Sequence, residues 1–476
     1  MMMKNFFILF SIFIILFSCS GDLEKLNVDK KNVSDAPADT FFNLAIKNMS
    51  DLLSGITYGA NGNPFNTTRI LAQQISSVTY NEGATYYSNF TWNDVYMGVL
   101  INLEKSSGII ESNPEVNGVE NGPEELNMLA TLEIMKVFTY AKLVESFGDI
   151  PYSEALDVEN ISPQYDDARN IYEDLIGRLR TAIGNIDESG ACWDNDILYD
   201  GDVSAWKKLG NSLLLQMGMR IADSNPSLAA EIITEALPGI FTSNADIAQV
   251  VHQSAPPNTN ELWTDLAVGN RRDFVGAKPF VDLMNDLDDP RRSVFFQDVG
   301  GEFIGSAPGL VVSYASFSPF GLLFYEPTTP VIFMDYSTVE FLLAEAAERG
   351  LAGVSDAEMH YNQAIKASFE YYGVEGADNY LLQPGVAYTT ATGNWKQKIG
   401  EQKWIALFNQ GLEAWTEYRR LDYPELSAPP ESYVDIVPVR LIYPISEQTL
   451  NRANYESAAS AIGGDLLTTK LFWDIN

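Results

Sequence analysis

Hydrophobic residues recur along most of the chain at the three- and four-residue spacing of α-helices. The clearest example is residues 127–156, NMLATLEIMKVFTYAKLVESFGDIPYSEAL, where the apolar stripe is wide enough to be covered on more than one side. Gly148 follows the last periodic residue, where a left-handed conformation costs it little, and Pro151 then prevents the helix from continuing. We therefore predict a long buried helix that ends in a fixed corner at residues 148–152.

Other helical stretches flank this one, and those that follow it form pairs with it and with one another. Those that precede it lie at about residues 40–53, 66–77 and 92–111. Those that follow it cover residues 167–186, 203–223, 226–237, 335–349, 355–372, 396–420 and 446–460. Recurring helix pairs of this length are typical of tetratricopeptide-like repeats, although the repeat consensus is poor here. The pattern alone predicts a mainly α protein.

The longest interruption of the helical pattern is residues 240–331. This segment contains glycines, prolines and short β-branched runs at residues 247–251 and 310–314, so we predict a few small strands. A long segment without long helices, inside a helical protein, is where binding or catalytic residues are often carried.

The first residues have the pattern of an export signal. Lys4 precedes an apolar run over residues 6–17, which is too short and wrongly flanked to span a membrane. Leu16-Phe17-Ser18-Cys19 resembles a lipobox, so we expect residues 1–18 to be removed, Cys19 to carry acyl chains and residues 19–38 to form a tether. The alternative is an ordinary signal peptide in which Cys19 has no role.

Composition excludes several classes of function. The chain has 64 acidic and 30 basic residues, a formal charge of −34, and such a field repels nucleic acid. Beyond Cys19 the only cysteine is Cys192, which we expect to be a buried structural thiol. Neither His252 nor His360 has a metal-ligand or nucleophile partner at a useful spacing, and no phosphate-binding loop is present.

We therefore expect no cofactor. A structural calcium ion stays open because acidic residues are abundant, although no EF-hand-like loop is present.

Four stretches resemble one known family. FGDIPYSEAL, at residues 147–156, is similar to a signature of the SusD/RagB-like outer-membrane lipoproteins of Bacteroidota. MDYSTVEFLLAEAAERG (334–350), ALFNQGLEAWTEYRRLDYP (406–424) and VPVRLIYPISEQTLNRAN (437–454) match the same family in the order it requires. The resemblance implies about four tetratricopeptide-like helix pairs in a single domain over residues 39–476, with a loop-rich insertion.

The resemblance also implies a function. Such lipoproteins are anchored in the outer membrane, face the outside, and bind a nutrient that they deliver to a SusC-like TonB-dependent transporter. Here the nutrient would be an oligosaccharide or a peptide, and no bond would be made or broken. Two other classes stay open, namely an all-α glycan hydrolase that uses a carboxylate pair and a helical-repeat scaffold that binds only protein.

Aromatic residues in loops are the candidates for ligand contact. A sugar has an apolar C–H face and a polar rim, so its binding site needs flat rings together with a few polar or charged groups. The residues that fit this description are Tyr80, Tyr86, Tyr87, Trp263, Arg272, Phe274 and Trp395. For each one, packing under a loop is the alternative. Trp92 and Trp404 have helical spacing among apolar residues, and we assign them to the core.

Two carboxylates interrupt an apolar helix. Glu340 and Glu345 could include a general acid with a pKa raised by burial. The alternative, which we favour, is that they form inert ion pairs with arginines, and Arg419 and Arg420 offer two.

Overall fold

Most of the described chain is helical. The computed structural model describes residues 36–56, 63–80, 85–86, 90–112, 122–157 and 159–475. Its longer helices are α1 (Ala38–Ser54), α2 (Ile101–Ser112), α3 (Pro123–Phe147), α4 (Ala168–Asn185), α5 (Val203–Arg220), α6 (Pro226–Ala236), α7 (Lys278–Asp286), α8 (Tyr336–Arg349), α9 (Ala357–Tyr371), α10 (Trp395–Ala406), α11 (Gly411–Leu421) and α12 (Arg452–Ala461). In this part of the chain, no helix is both long and apolar enough to cross a membrane.

The helices pack as successive pairs. Within each pair the two helices lie against each other, and the pairs are α1 with α2, α3 with α4, α5 with α6, and α8 with α9. Helix α10 then packs against α8 and α11. The predicted fold class, mainly α with tetratricopeptide-like helix pairs, is confirmed.

Side-chain caps fix where several helices begin. Asp167 accepts a hydrogen bond from the Asn170 amide at the start of α4, and Asp335 accepts one from the Thr338 amide at the start of α8. Such caps satisfy backbone donors that have no partner inside the helix. The starts of these two helices are therefore set locally, by the residue just before the helix.

Helix α3 is the buried helix that its hydrophobic pattern predicts. Its side chains are buried over nearly the whole circumference, and the amide of Gly148 closes its end on the carbonyl of Val144 at 2.9 Å. Gly148 has a φ of 86°, a region that glycine adopts without strain. The chain then turns into the short strand Ile150–Pro151, so the corner lies where the sequence indicates.

Three small antiparallel ladders connect distant parts of the chain. They are β1 (Ile75–Ser77) with β5 (Phe274–Gly276), β2 (Ile150–Pro151) with β3 (Tyr165–Asp166), and β4 (Ala248–Val250) with β6 (Val331–Met334). The strand predicted at residues 247–251 is thus present as β4. The one predicted at 310–314 is wrong, because that segment is irregular and leads into a 3₁₀ turn at Tyr314–Ser316.

Two predicted helices are also wrong in part. Residues 66–77 form two short turns, Pro64–Thr67 and Thr68–Leu71, before β1 pairs with β5. The helix predicted over residues 396–420 is broken into α10 and α11 at a corner where Asn409 has a φ of 68°. The helix predicted near residues 446–460 is present in two pieces, a short helix at Glu447–Leu450 and α12, which packs against β3.

The residues assigned to the core from the sequence are buried. Trp92 is 5% exposed and Trp404 is 3% exposed. Cys192 is also buried, and burial raises the pKa of its thiol to about 12, which makes it unreactive at neutral pH.

Candidate functional site

Five chain segments from four distant parts of the sequence meet at one surface of the molecule. We call this the loop surface, and it comprises residues 78–80, 85–86, 271–274, 309–314 and 427–434. Its position depends on the β1–β5 ladder, in which Ser77 lies opposite Phe274. Beyond that ladder the amide of Val78 donates to the carbonyl of Asp273 at 2.7 Å, and the carbonyl of Val78 accepts from the amide of Val312 at 2.9 Å. Residues 309–314 therefore lie alongside residues 78–80.

The segment 427–434 closes the loop surface on another side. The amide of Tyr433 donates to the carbonyl of Thr85 at 2.8 Å. Gly309 is packed so closely that a Cβ added to it would lie 2.8 Å from the Cβ of Pro429. A groove of about 610 Å³ runs along residues 428–435 of this segment.

Several apolar and aromatic side chains are exposed on this surface. Tyr80 is 53% exposed, Tyr433 is 71% exposed and Val311 is 62% exposed. These three side chains come from segments that are joined by backbone hydrogen bonds, so they belong to one surface.

The cationic group of the loop surface is Arg272. Its guanidinium lies 5.7 Å from the centre of the Tyr314 ring, and the hydroxyl of Tyr314 is 3.5 Å from that of Tyr325. Hydrogen bonding to Tyr314 raises the pKa of Arg272, so its positive charge is retained. Its neighbour Arg271 differs, because it is paired with Asp273 at 2.8 Å. The arrangement thus presents charged and hydroxyl groups beside ring faces.

Two of the residues predicted from the sequence lie on the loop surface with exposed side chains, namely Tyr80 and Arg272. Tyr86 is buried, where its hydroxyl accepts a hydrogen bond from Gln73 and burial raises its pKa to about 12. Phe274 is 1% exposed and lies in β5 under the guanidinium of Arg271. Tyr87 lies outside the described residues.

The two candidate tryptophans are placed differently. Trp263 is half-buried in a short helical segment that packs against Leu322–Tyr325, so it is near the Tyr325 end of the Arg272–Tyr314–Tyr325 group. Trp395 begins α10 and lies under the guanidinium of Arg349, at 5.1 Å. Because Arg349 ends α8, this contact places Trp395 in the helical part of the molecule.

Sequence reasoning missed Tyr314 and Tyr433. Tyr433 follows a polar, proline-containing stretch, APPES, so the rule that selected Tyr80 applies to it equally. Tyr314 was hidden by the incorrect strand prediction at residues 310–314.

Glu345 is one of the two carboxylates considered for catalysis. It is fully buried and paired with Arg420 at 2.5 Å and with Arg349 at 2.7 Å. Burial alone would raise its pKa, but the two arginines hold the pKa of Glu345 below its usual value. A general acid needs the opposite shift.

The other three residues that were expected to form inert ion pairs are Glu340, Arg419 and Arg420, and each has a different partner. Glu340 lies 2.6 Å from the Nδ1 of His360, and neither of the two expected arginines is its partner. Arg419 donates to the carbonyl of Glu145 at 2.8 Å and lies over the ring of Trp415. Arg420 contacts both Glu345 and Glu417. The two arginines have different partners because, on α11, Arg419 faces α3 and Arg420 faces α8.

A second concavity, of about 560 Å³, lies among α2, α3 and α4. Its charged residues are largely satisfied by each other or by neighbours: Lys136 is paired with Glu104, and Arg178 with Glu133. It holds none of the predicted ligand residues. Among the residues that the structure describes, no group of three or more His, Cys, Asp or Glu side chains is arranged to hold a metal ion.

The stacked helix pairs place the protein in the class of tetratricopeptide-like helical proteins. More particularly, the chain belongs to the SusD-like family described as "Starch-binding associating with outer membrane", whose family model matches residues 30–444. No curated protein sequence matched the chain.

Solved structures match nearly the whole chain. A chitin-binding protein is 27% identical, with 92% of this chain and 99% of that chain covered and a TM-score of 0.76. A chitin-binding SusD homologue from Flavobacterium johnsoniae is 24% identical, with 92% and 99% covered and a TM-score of 0.78. A SusD homologue from Bacteroides uniformis is also 24% identical, with 91% and 100% covered and a TM-score of 0.78. At 24% identity, the likeness to the last two structures shows that the fold is shared and nothing further.

Proposed function

We propose that the protein binds an oligosaccharide at the loop surface, leaves it chemically unchanged, and delivers it to a SusC-like TonB-dependent transporter. The observation that carries this proposal is the meeting of the separate segments that carry Tyr80, Arg272, Tyr314 and Tyr433, with Arg272 and Tyr314 in contact. Rings of this kind stack on the C–H face of a sugar, while the guanidinium and hydroxyls bond to its polar rim. The chitin-binding relatives favour a glycan over a peptide as the ligand.

Binding is favoured over hydrolysis by the state of Glu345. Its two arginine partners favour the ionised form, whereas a glycosidase acid must carry a proton at neutral pH. Incubating the protein with chitin and starch oligosaccharides and measuring new reducing ends tests this choice. Turnover that depends on the protein would overturn the proposal.

Calorimetric titration is the direct test of the ligand. We expect binding of a chitin or starch oligosaccharide, and removal of one ring by Tyr80→Ala or Tyr314→Ala should weaken it by about fivefold, which corresponds to roughly 1 kcal/mol per ring. Leu450→Ala is the control, because Leu450 is 73% exposed in a segment whose side chains bond to residues 162–165 and not to the loop surface. Binding of a peptide mixture alone, or equal loss in all three variants, would contradict the proposal.

The membrane attachment is part of the same proposal. Residues 1–18 would be removed, Cys19 would be acylated, and residues 19–38 would tether a single domain formed by residues 39–476 to the outer face of the outer membrane. Metabolic labelling with an alkyne fatty acid should mark the wild-type protein and not Cys19→Ser. Digestion of intact cells with added protease should then remove the protein, and its survival would place it on the inner face.

The transporter partner can be tested by co-purification. The full-length protein, extracted in mild detergent with an affinity tag, should bring down an outer-membrane barrel protein of the TonB-dependent type. Leu450→Ala and the ligand-site variants should do so as well if ligand binding and docking use different residues. Recovery of the lipoprotein without any barrel protein would count against the partner.

A further inference from the structure

Gln73 occupies an unusual position at the base of the loop surface. It lies between the turn Thr68–Leu71 and strand β1, is 2% exposed, and has a φ of 50°. Left-handed backbone is uncommon for residues other than glycine and is retained when surrounding contacts require it. We therefore ask which contacts of the Gln73 side chain hold the residue in this backbone conformation.

The carboxamide of Gln73 bonds to two segments of the loop surface. Its Nε2 donates to the carbonyl of Ser427 at 2.7 Å and lies 3.4 Å from the hydroxyl of Tyr86. Ser427 begins the segment that carries Tyr433, and Thr85, next to Tyr86, accepts the amide of Tyr433. One buried side chain thus links both segments to the start of β1.

The next residue provides an internal comparison. Gln74 is also buried, but its Nε2 donates to the carbonyls of Trp404 and Leu407, at 3.0 Å and 3.1 Å. These carbonyls lie at the end of α10, in the helical part of the molecule. Two adjacent glutamines of the same chemistry therefore face opposite ways, one to the loop surface and the other to the helices.

We propose that Gln73 is a positioning residue for the ligand site: it touches no ligand, but it fixes residues 85–86 and 427–434 relative to the β1–β5 ladder. In this role it sets the distance between the exposed rings of Tyr80 and Tyr433, which a bound oligosaccharide would span. The proposal rests on the loop surface being the ligand site. Because the lost bond acts through loop geometry, its removal should weaken binding more than it weakens the fold.

The test compares Gln73→Leu with Gln74→Leu, since each removes one buried amide of the same kind. We expect Gln73→Leu to weaken binding of a chitin oligosaccharide by about tenfold. Hydrogen exchange should also become faster in peptides covering residues 85–86 and 427–434. Gln74→Leu should lower the unfolding midpoint and leave both the affinity and these exchange rates unchanged. Tyr86→Phe removes only the weaker contact and should lie between wild type and Gln73→Leu.

Gln73→Asn covers the case in which Gln73→Leu does not fold. Asparagine tolerates left-handed backbone, and its shorter side chain withdraws the amide from Ser427. Faster hydrogen exchange in residues 427–434 of this variant supports the positioning role. If the wild type nevertheless binds none of the oligosaccharides, only the proposed function fails. The inference would be overturned if Gln73→Leu or Gln73→Asn had the hydrogen-exchange rates and the oligosaccharide affinity of the wild type. It would also be overturned if Gln74→Leu changed these quantities as much as Gln73→Leu does.

Discussion

Arg420 of α11 and Glu345 of α8 form a two-pronged ion pair in which both terminal guanidinium nitrogens lie 2.5 Å from the carboxylate oxygens. The two side chains are at most 1% exposed. Arg420 also contacts Glu417, which pairs with Arg220 of α5 and with Lys403 of α10 at 2.7 Å. A buried ionic network therefore joins four helices, α5, α8, α10 and α11.

The first prediction concerns Glu345→Gln. This change leaves Arg420 and Arg349 without part of their compensating charge in a buried site, so the protein should lose about 3–5 kcal/mol of unfolding free energy. Urea unfolding at neutral pH, followed by far-UV circular dichroism, measures the change. Glu456→Gln is the control, because its partner Arg452 lies on the surface, and its unfolding midpoint should match that of the wild type. Equal midpoints for the two variants would contradict the prediction.

The second prediction concerns the pH dependence contributed by Glu413. Burial by itself would raise the pKa of Glu413, but Arg220 and Lys142 lower it from 4.5 to about 2. A group with a lowered folded-state pKa contributes stability above its unfolded pKa and loses it as the pH falls through the folded one. The contribution of Glu413 should therefore be complete above about pH 4.5 and decline toward about pH 2.

A comparison with Glu413→Gln isolates this contribution. The variant should be less stable than the wild type at neutral pH, because Arg220 and Lys142 each lose one of their buried carboxylate partners. The difference in unfolding free energy should narrow as the pH falls toward about 3, because the unfolded wild type takes up a proton at this carboxyl in that range while the folded state, with its lowered pKa, does not. Urea titrations across this range test the prediction, and a gap that stays constant would assign the acid sensitivity to other groups.

The helical part of the fold follows from local sequence, and α3 shows why. A stripe of apolar residues, a glycine that accepts a left-handed conformation and a proline beyond it lie within one short stretch, so the helix and its corner are both predictable. The break between α10 and α11 has a local signal too, in Asn409 and Gly411, but it interrupts a stretch whose apolar spacing is otherwise continuous.

The loop surface is much less predictable, because its geometry comes from contacts between distant residues. Gln73 and Ser427 are 354 positions apart, and Val78 lies between Asp273 and Val312. Nothing in the sequence near Ile75–Ser77 shows that this stretch pairs with Phe274–Gly276 rather than extending a helix. Residue type identified Tyr80 and Arg272 as candidates, but type alone could not separate them from Phe274, which is buried.

The third prediction tests the close approach at the start of α11. A Cβ on Gly411 would lie 2.4 Å from the Cγ of Arg69 and 2.6 Å from its backbone nitrogen, so Gly411→Ala should cost about 1–3 kcal/mol. Gly177→Ala is the control within a helix, because no atom lies within 4 Å of its added Cβ. It should leave stability unchanged or raise it by about 0.5–1 kcal/mol, since alanine favours the helix. Thermal unfolding of the two variants measures the difference, and equal midpoints would show that Arg69 can move aside.

The last prediction concerns Arg272, whose guanidinium is held beside Tyr314 and has no carboxylate partner among the described residues. If it bonds to the polar rim of a sugar, Arg272→Met should weaken oligosaccharide binding by about tenfold or more, because a charged hydrogen bond contributes roughly 1.5–3 kcal/mol. Arg272→Lys keeps the charge but loses the planar fork, so it should recover only part of the affinity. The unfolding midpoint should stay close to that of the wild type in both variants, because the side chain is exposed. Full affinity in Arg272→Met would remove this residue from the ligand site and leave binding to the tyrosine rings.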